Sequence, residues 1–348
     1  MTQAKPLLTS TTEDLVTSVL NTIDRERERE IVARRFGLFE RKETLEQIGE
    51  TLGITRERVR QLEKSVVTKL RTMPDQGAKN PELASFEARL IDILSAHGDV
   101  ARVSLITNEI TDDPGREEQS RVAFLAQLCP SLTVIAEDDN FYNSVAVKAS
   151  FEEKALKSNV EKLISSIKSI GEPKPIAEIA KIAGLSDPKQ AEALASTSKH
   201  LATLNNRWGL VKWPMVNPKN IRDKIYVILS ENGKHMHFNE IAAAIKESEF
   251  KRKDVTTQAI HNELIKDKRF VLIGRGIYAL KEWGYEKGTV ADIIAEVLRD
   301  AGEPLHRDEI VKRVLKSRFV KETTILLNLQ GKPQFKRVAK ATYALSDE

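Results

Sequence analysis

Apolar residues recur at helical spacing through most of this chain. The clearest run is Thr55 to Arg71, where Val59, Leu62, Val66 and Leu70 stand at i, i+3, i+7 and i+11 and define one stripe. Arg56, Glu57, Arg60, Gln61 and Lys64 take the opposite face. Thr55 has the side chain of an N-cap, and Glu57 sits where a helix N-terminus favours negative charge. Upstream, Thr44-Leu45-Glu46-Gln47 has the form of a capping box, with Leu45, Ile48 and Leu52 as an apolar face. Gly53 supplies a tight turn between the two stretches, so the pattern predicts a helix-turn-helix with a polar-faced second helix. A shorter apolar face, Leu15, Val16, Val19 and Leu20, leads into a helix starting near Asp24. Residues 1–11 are Thr-rich and read as a frayed end.

Beyond residue 81 the pattern repeats with a period of about 60 to 75 residues. Each unit opens with an apolar-periodic helix ending at a glycine: Gly98, Gly171, Gly233 and Gly302. A short connector and a Glu-Ile pair follow, at Glu109, Glu178, Glu240 and Glu309. The glutamate trails its glycine by seven positions in the last three units and by eleven in the first. A third helix comes next, then a β-like hairpin with an aromatic: Phe141-Tyr142, Trp208, Tyr278 or Tyr343. Three helices and a closing hairpin describe a winged helix. The expected fold is therefore mainly α: an N-terminal segment (1–21), a helix-turn-helix (22–72), a linker (73–81) and four tandem winged helices at 82–148, 150–214, 218–283 and 287–346. The shared glutamates are expected to cap the first turn of helix 2, and the hairpin aromatics to anchor the core.

Several segments together resemble region 4 of primary-type bacterial RNA polymerase sigma factors: Asp24-Arg25-Glu26-Arg27-Glu28, Phe36-Gly37-Leu38, Thr44 to Gly49 and Thr55 to Glu63. The resemblance spans roughly residues 22–71. It implies a helix that enters the major groove at a −35 promoter element, and a surface that docks on the polymerase flap. By matching position, Arg56, Glu57 and Gln61 would touch bases and Arg60 bases or phosphate. Thr55 and Lys64 complete the expected DNA-binding set there, while Arg58 and Glu63 are expected to be solvated or paired within the helix.

The third repeat is similar to the HARE-HTH family of winged helices. The likeness rests on His237 to Ile241, Thr256-Thr257, Arg269 to Leu280 and Trp283-Gly284-Tyr285. That family occurs in the delta subunit of bacterial RNA polymerase, in chromatin-associated proteins and fused to restriction enzymes, and it implies an adaptor for DNA or polymerase. Here Lys251, Arg252 and Lys253 precede the third helix, Thr256 and Thr257 open it, and Arg275 stands between two glycines at the hairpin tip. All six are sensible phosphate or groove contacts. The fourth repeat looks like a diverged copy without the Gly-Arg-Gly tip.

Composition narrows the classes. Cys129 is the one cysteine, which rules out an intrachain disulfide framework and multi-cysteine zinc sites and fits a reducing cytoplasm. The net charge of +4 is unevenly spread: Lys and Arg outnumber Asp and Glu by 13 to 10 over residues 22–71, whereas 72–217 is acidic, with 16 against 20. Residues 218–288 (14 against 10) and 289–348 (11 against 9) are basic again. Basic ends around an acidic middle suit a protein that grips nucleic acid. Phosphate loops, G-x-S-x-G and H-E-x-x-H motifs do not occur, so no catalysis, cofactor or metal is expected. No aromatic-rich helix of the kind that captures melted promoter DNA is found before residue 22, so the chain is not expected to open promoters alone. The expected protein is a cytoplasmic, nucleoid-associated, sequence-specific transcription regulator that acts with RNA polymerase on double-stranded DNA. The alternatives are a polymerase- or anti-sigma-docking module, and the recognition subunit of a restriction or defence system.

Overall fold

The computed structural model describes residues 11–72, 81–252, 254–285 and 288–346. The expected frayed end up to residue 10, the linker over 73–80 and the side chain of Lys253 lie outside the described residues. The chain divides into two compact units, up to Val211 and from Lys212 onward, and each is described by itself. No helix among the described residues is long and apolar enough to cross a membrane.

The first unit begins with α1 (Thr12–Asn21), opened by a capping box between Thr11 and Asp14. Two hydrogen bonds from Thr11 hold the Asp14 carboxyl below its ordinary pKa. Next come α2 (Glu26–Phe36), α3 (Leu45–Leu52) and α4 (Arg56–Thr72). The rest of the unit follows one order twice: helix, short strand, helix, helix, hairpin. In the first module this is α5 (Pro81–Ala96), β1 (Val100–Arg102), α6 (Val103–Ile110), α7 (Arg116–Leu128), β2 (Leu132–Ile135) and β3 (Ser144–Val147). In the second it is α8 (Glu153–Ile170), β4 (Lys174–Pro175), α9 (Ile176–Ala183), α10 (Pro188–Thr197), β5 (Leu201–Leu204) and β6 (Arg207–Leu210).

The second unit repeats the order twice more. Its first module runs α11 (Ile221–Asn232), β7 (Met236–His237), α12 (Phe238–Glu247), α13 (Thr257–Lys266), β8 (Phe270–Gly274) and β9 (Ile277–Leu280). Its second runs α14 (Val290–Ala301), β10 (Leu305–His306), α15 (Arg307–Ser317), α16 (Glu322–Gly331), β11 (Phe335–Ala339) and β12 (Thr342–Leu345). The connector after each first helix is therefore a short strand. It pairs antiparallel with the last strand of its hairpin, giving sheets β1-β3-β2, β4-β6-β5, β7-β9-β8 and β10-β12-β11. This is winged-helix topology, four times over. The hairpin aromatics Phe141, Trp208, Tyr278 and Tyr343 are all buried, whereas Tyr142 is half-buried under Arg102.

Glu178, Glu240 and Glu309 occupy the first turns of α9, α12 and α15, but Glu109 lies in the last turn of α6, 2.5 Å from His97 Nε2. The position seven residues after Gly98 is Leu105, so the Glu-Ile pair at 109–110 is a coincidence of sequence and not a counterpart of the others. Of the remaining three, Glu240 closes a capping box, accepting from the His237 backbone N–H at 2.8 Å. Glu309 instead pairs with Arg313 at 2.7 Å.

The helix-turn-helix is not a separate bead on a linker. Leu15, Val16, Val19 and Leu20 of α1, Val32 of α2 and Val66, Val67 and Leu70 of α4 share one continuous core with Leu83, Phe86, Leu90, Phe124, Leu125 and Val145 of the first winged module. Phe36 packs its ring 5.0 Å from that of Phe124. Polar ties run along the same seam: Arg121 donates to the Leu38 carbonyl at 2.8 Å and meets Glu13 at 2.9 Å, and Arg71 donates to the Gln127 carbonyl at 2.5 Å. Cys129 is buried in this core, and burial pushes its thiol pKa well up, so it behaves as a small apolar residue.

Candidate nucleic-acid interface

A small second core fixes the geometry of the helix-turn-helix. Ile31 of α2, Ile48 of α3 and Val59 of α4 are fully buried against one another, with Leu45, Leu52, Ile54 and Leu62 around them. Thr44 and Gln47 exchange hydrogen bonds at 3.2 and 2.9 Å, which gives α3 its capping box. Gly53 ends α3 with φ 64°, a left-handed conformation that glycine adopts without strain. Gly49 does a different job. A Cβ there would stand 2.7 Å from the Ile54 carbonyl oxygen, so its missing side chain lets the turn into α4 close onto α3. Arg27 donates to the Leu52 carbonyl, and Arg35 meets Glu63 at 3.2 Å, so α2 braces both reading helices. The pairing expected for Glu63 within its own helix is thus a tie between helices.

These supports leave one face of the first two turns of α4 in solvent. Thr55 accepts from the Arg58 N–H at 3.2 Å, so its hydroxyl serves the cap. Arg56, Glu57, Arg58, Arg60, Gln61 and Lys64 are all exposed. Glu57 is the hub among them: Arg60 grips it bidentately at 2.6 and 2.9 Å, and Gln61 donates to it at 3.4 Å. Arg60's hydrogen bond is the largest cause holding the Glu57 carboxyl below its ordinary pKa, with the charge of Arg56 acting in the same direction. Arg60 is raised in turn by Glu57. Arg58 reaches Gln61 at 3.4 Å, the intrahelical pairing expected for it. The result is a pre-arranged row of donors and acceptors. Arginine can fork onto guanine, glutamine onto adenine, and glutamate can accept from cytosine.

The third winged module carries the second set of expected contacts. Thr256 caps α13, accepting from the Ala259 N–H at 3.2 Å, and Thr257 follows half-exposed in its first turn. Lys251 and Arg252 are exposed, and their carbonyls accept from the buried Lys224 ammonium at 2.8 and 2.7 Å. Burial is the larger cause that lowers the Lys224 pKa, and the nearby charge of Arg252 adds to it. Sequence reasoning missed Lys224; its place on an otherwise apolar helix face was the available signal. Arg275 is exposed at the tip of the β8–β9 hairpin. Gly276, with φ 70°, is required beside it, because a Cβ would lie 2.5 Å from His237 Nε2. His237 is the N-cap of α12, with its Nδ1 accepting from Asn239. The α4 residues thus form one cluster in the first unit, and the 251–275 residues belong to the second.

A buried brace of three helices, a glycine-closed turn and a polar, arginine-rich helix start define the helix-turn-helix class. Residues 25–72 match the family model of Sigma-70, region 4, and the helix-turn-helix is of that type. The same part of the chain is similar to the RNA polymerase sigma factor RpoD of two Helicobacter pylori strains, ATCC 700392 / 26695 and J99. In both cases the identity is 47% over 64 residues, covering 17% of this chain. The match covers 10% and 9% of the lengths of those relatives.

Proposed function

We propose that this protein is a non-catalytic, DNA-binding regulator acting with RNA polymerase at transcription initiation. The observation that carries the reading is the coincidence of the region 4 match with an exposed polar row at the start of α4. In this reading Arg56, Glu57 and Gln61 contact base edges of a −35-like element, Arg60 contacts base or phosphate, and Lys64 contacts phosphate. Lys251, Arg252, Lys253, Thr256, Thr257 and Arg275 add sequence-independent grip. Each good base contact contributes about 1–3 kcal/mol of discrimination, whereas phosphate contacts set a steep salt dependence.

The test is competition binding of the whole chain to a duplex with a −35-like hexamer against a scrambled duplex, across a salt series. The proposal expects a preference for the hexamer that survives rising salt and shrinks about 5- to 150-fold in Arg56→Ala, the range equivalent to that discrimination energy. Equal binding to both duplexes would refute base readout. Retained core polymerase binding with no duplex binding at all would favour a docking module.

A further inference from the structure

The four winged modules do not keep their usual reading elements equally available. In the first, α7 leaves only Arg116 and Glu117 fully exposed, because Val122, Phe124, Leu125, Ala126 and Leu128 are buried against the helix-turn-helix seam. In the second, α10 is packed against the first module: Lys189 donates to the Ser95 carbonyl at 3.2 Å and Gln190 to Asp99 at 3.1 Å. The loop between β2 and β3 is also taken up, with Phe141 bridged to Ser198 and the Tyr142 backbone N–H donating to the Thr197 carbonyl at 2.9 Å. The first module thus shares its core with α4, and the second packs onto the first.

The fourth module divides its elements differently. Its third helix, α16, carries no cation, and Glu322 is the one charged residue along it. Its hairpin is the opposite. Between Glu322 and Asp347 there is no carboxylate, yet Lys332, Lys336, Arg337 and Lys340 all occur there, each of them exposed. Strand β11 is a sheet edge, and after Phe335 its next four residues are exposed. Lys336 lies opposite Ala344 and Arg337 opposite the buried Tyr343, so the two cations project from opposite faces of the hairpin. Lys340 and Ala341 form the turn, with Ala341 at φ 57°, and the Arg307 N–H donates to the Ala341 carbonyl at 2.8 Å. Asp308 is the nearest carboxylate by sequence to this contact, and it is paired with Arg307 at 3.2 Å. The same register shift and turn occur in the third module, where Arg275 and Gly276 occupy the places of Lys340 and Ala341.

We infer that the β11–β12 hairpin is a further nucleic-acid-binding element that enters a duplex groove, with Lys336 and Arg337 facing the phosphates of its two walls and Lys340 leading. An acidic protein surface would meet one face of the hairpin, whereas a groove meets both, and cations on both faces favour the groove. The inference rests on the DNA-binding reading and names a site that a sequence match confined to residues 25–72 does not cover. It also gives the fourth module a role that its cation-free third helix does not supply.

The experiment uses the full chain with Lys336→Gln, Arg337→Gln and Lys340→Gln combined, and Ala341→Gly as a control that keeps every cation. Binding to the hexamer and scrambled duplexes is measured across a salt series, with thermal midpoints checking the fold. Each lost phosphate contact removes about 0.9 from the slope of log K against log salt. The triple variant should therefore lose about 2 to 3 units of slope on both duplexes, with the ratio between duplexes and the control unchanged. An unchanged slope overturns the inference, and an unchanged slope with lost polymerase binding would reassign the hairpin to a protein partner. A hexamer preference missing from the unaltered chain would refute base reading by α4 and leave the hairpin result standing.

Discussion

Gly49 offers a sharp test of how the reading helix is held. In Gly49→Ala the new Cβ would lie 2.7 Å from the Ile54 carbonyl oxygen and 3.5 Å from the Arg56 nitrogen. Both are backbone atoms, so no side chain can swing aside. An ordinary contact begins near 3.4 Å, and the turn must retreat by about 0.7 Å, carrying Thr55 and the start of α4 with it. Overpacking of this kind costs about 1–3 kcal/mol. The cost falls on the small core of Ile31, Ile48 and Val59, which has little else to absorb it. Gly53→Asn is the matched comparison: a Cβ there meets nothing within 4 Å, and asparagine tolerates the left-handed φ of 64°. Denaturant unfolding and duplex binding should both suffer in Gly49→Ala, whereas Gly53→Asn should stay within about 1 kcal/mol of the parent. Parent-like stability and binding in Gly49→Ala would refute the argument that close approach at this glycine sets the position of α4.

Other consequences follow from single residues. Phe124→Ala should cost about 3–5 kcal/mol. Because Phe124 belongs to the core shared by the helix-turn-helix and the first winged module, probes in the two should lose structure in one transition; two separated transitions would contradict a shared core. Lys224→Met should release the carbonyls of Lys251 and Arg252, destabilise the second unit by about 1.5–3 kcal/mol and weaken duplex binding without altering the hexamer preference, which the same competition assay reads. The Asp267 carboxyl is lowered below 3.8, chiefly by its hydrogen bond from Arg269. Its stabilisation is therefore full above that value and lost as the pH falls through the folded-state pKa. Asp267→Asn should flatten the acid limb of the stability curve below about pH 4, and an unchanged limb would assign the acid sensitivity elsewhere.

Local signals made the helix-turn-helix legible. The Val59, Leu62, Val66, Leu70 stripe, the Thr44–Gln47 box and the Gly53 turn are each set within a few residues, where periodicity and capping decide the outcome. The repeat was legible for the same reason, since a helix-ending glycine and an aromatic hairpin recur. Long-range packing was not. Nothing local says that α1 folds onto α7, or that Arg35 reaches Glu63 across 28 positions. The near-continuous apolar run Val122-Ala123-Phe124-Leu125-Ala126 did carry a hint, because a helix apolar on most sides is buried on most sides. Glu109 went astray because a dipeptide was matched in place of the distance from Gly98. The cationic hairpin from Lys332 to Lys340 was hidden by a regional charge balance that averaged it with Asp292, Glu296 and Asp300 of α14, Glu303 after it and the Asp347-Glu348 pair.

Base reading by α4 is tested most directly by a complete single-base-pair scan of the preferred hexamer. Each variant duplex would be titrated with the parent chain and with Arg56→Ala at one salt concentration. The account predicts that Arg56→Ala loses discrimination at one or two adjacent base pairs while the remaining profile keeps its shape. A profile that is flat for the parent chain, or that falls evenly at every position in the variant, would contradict it.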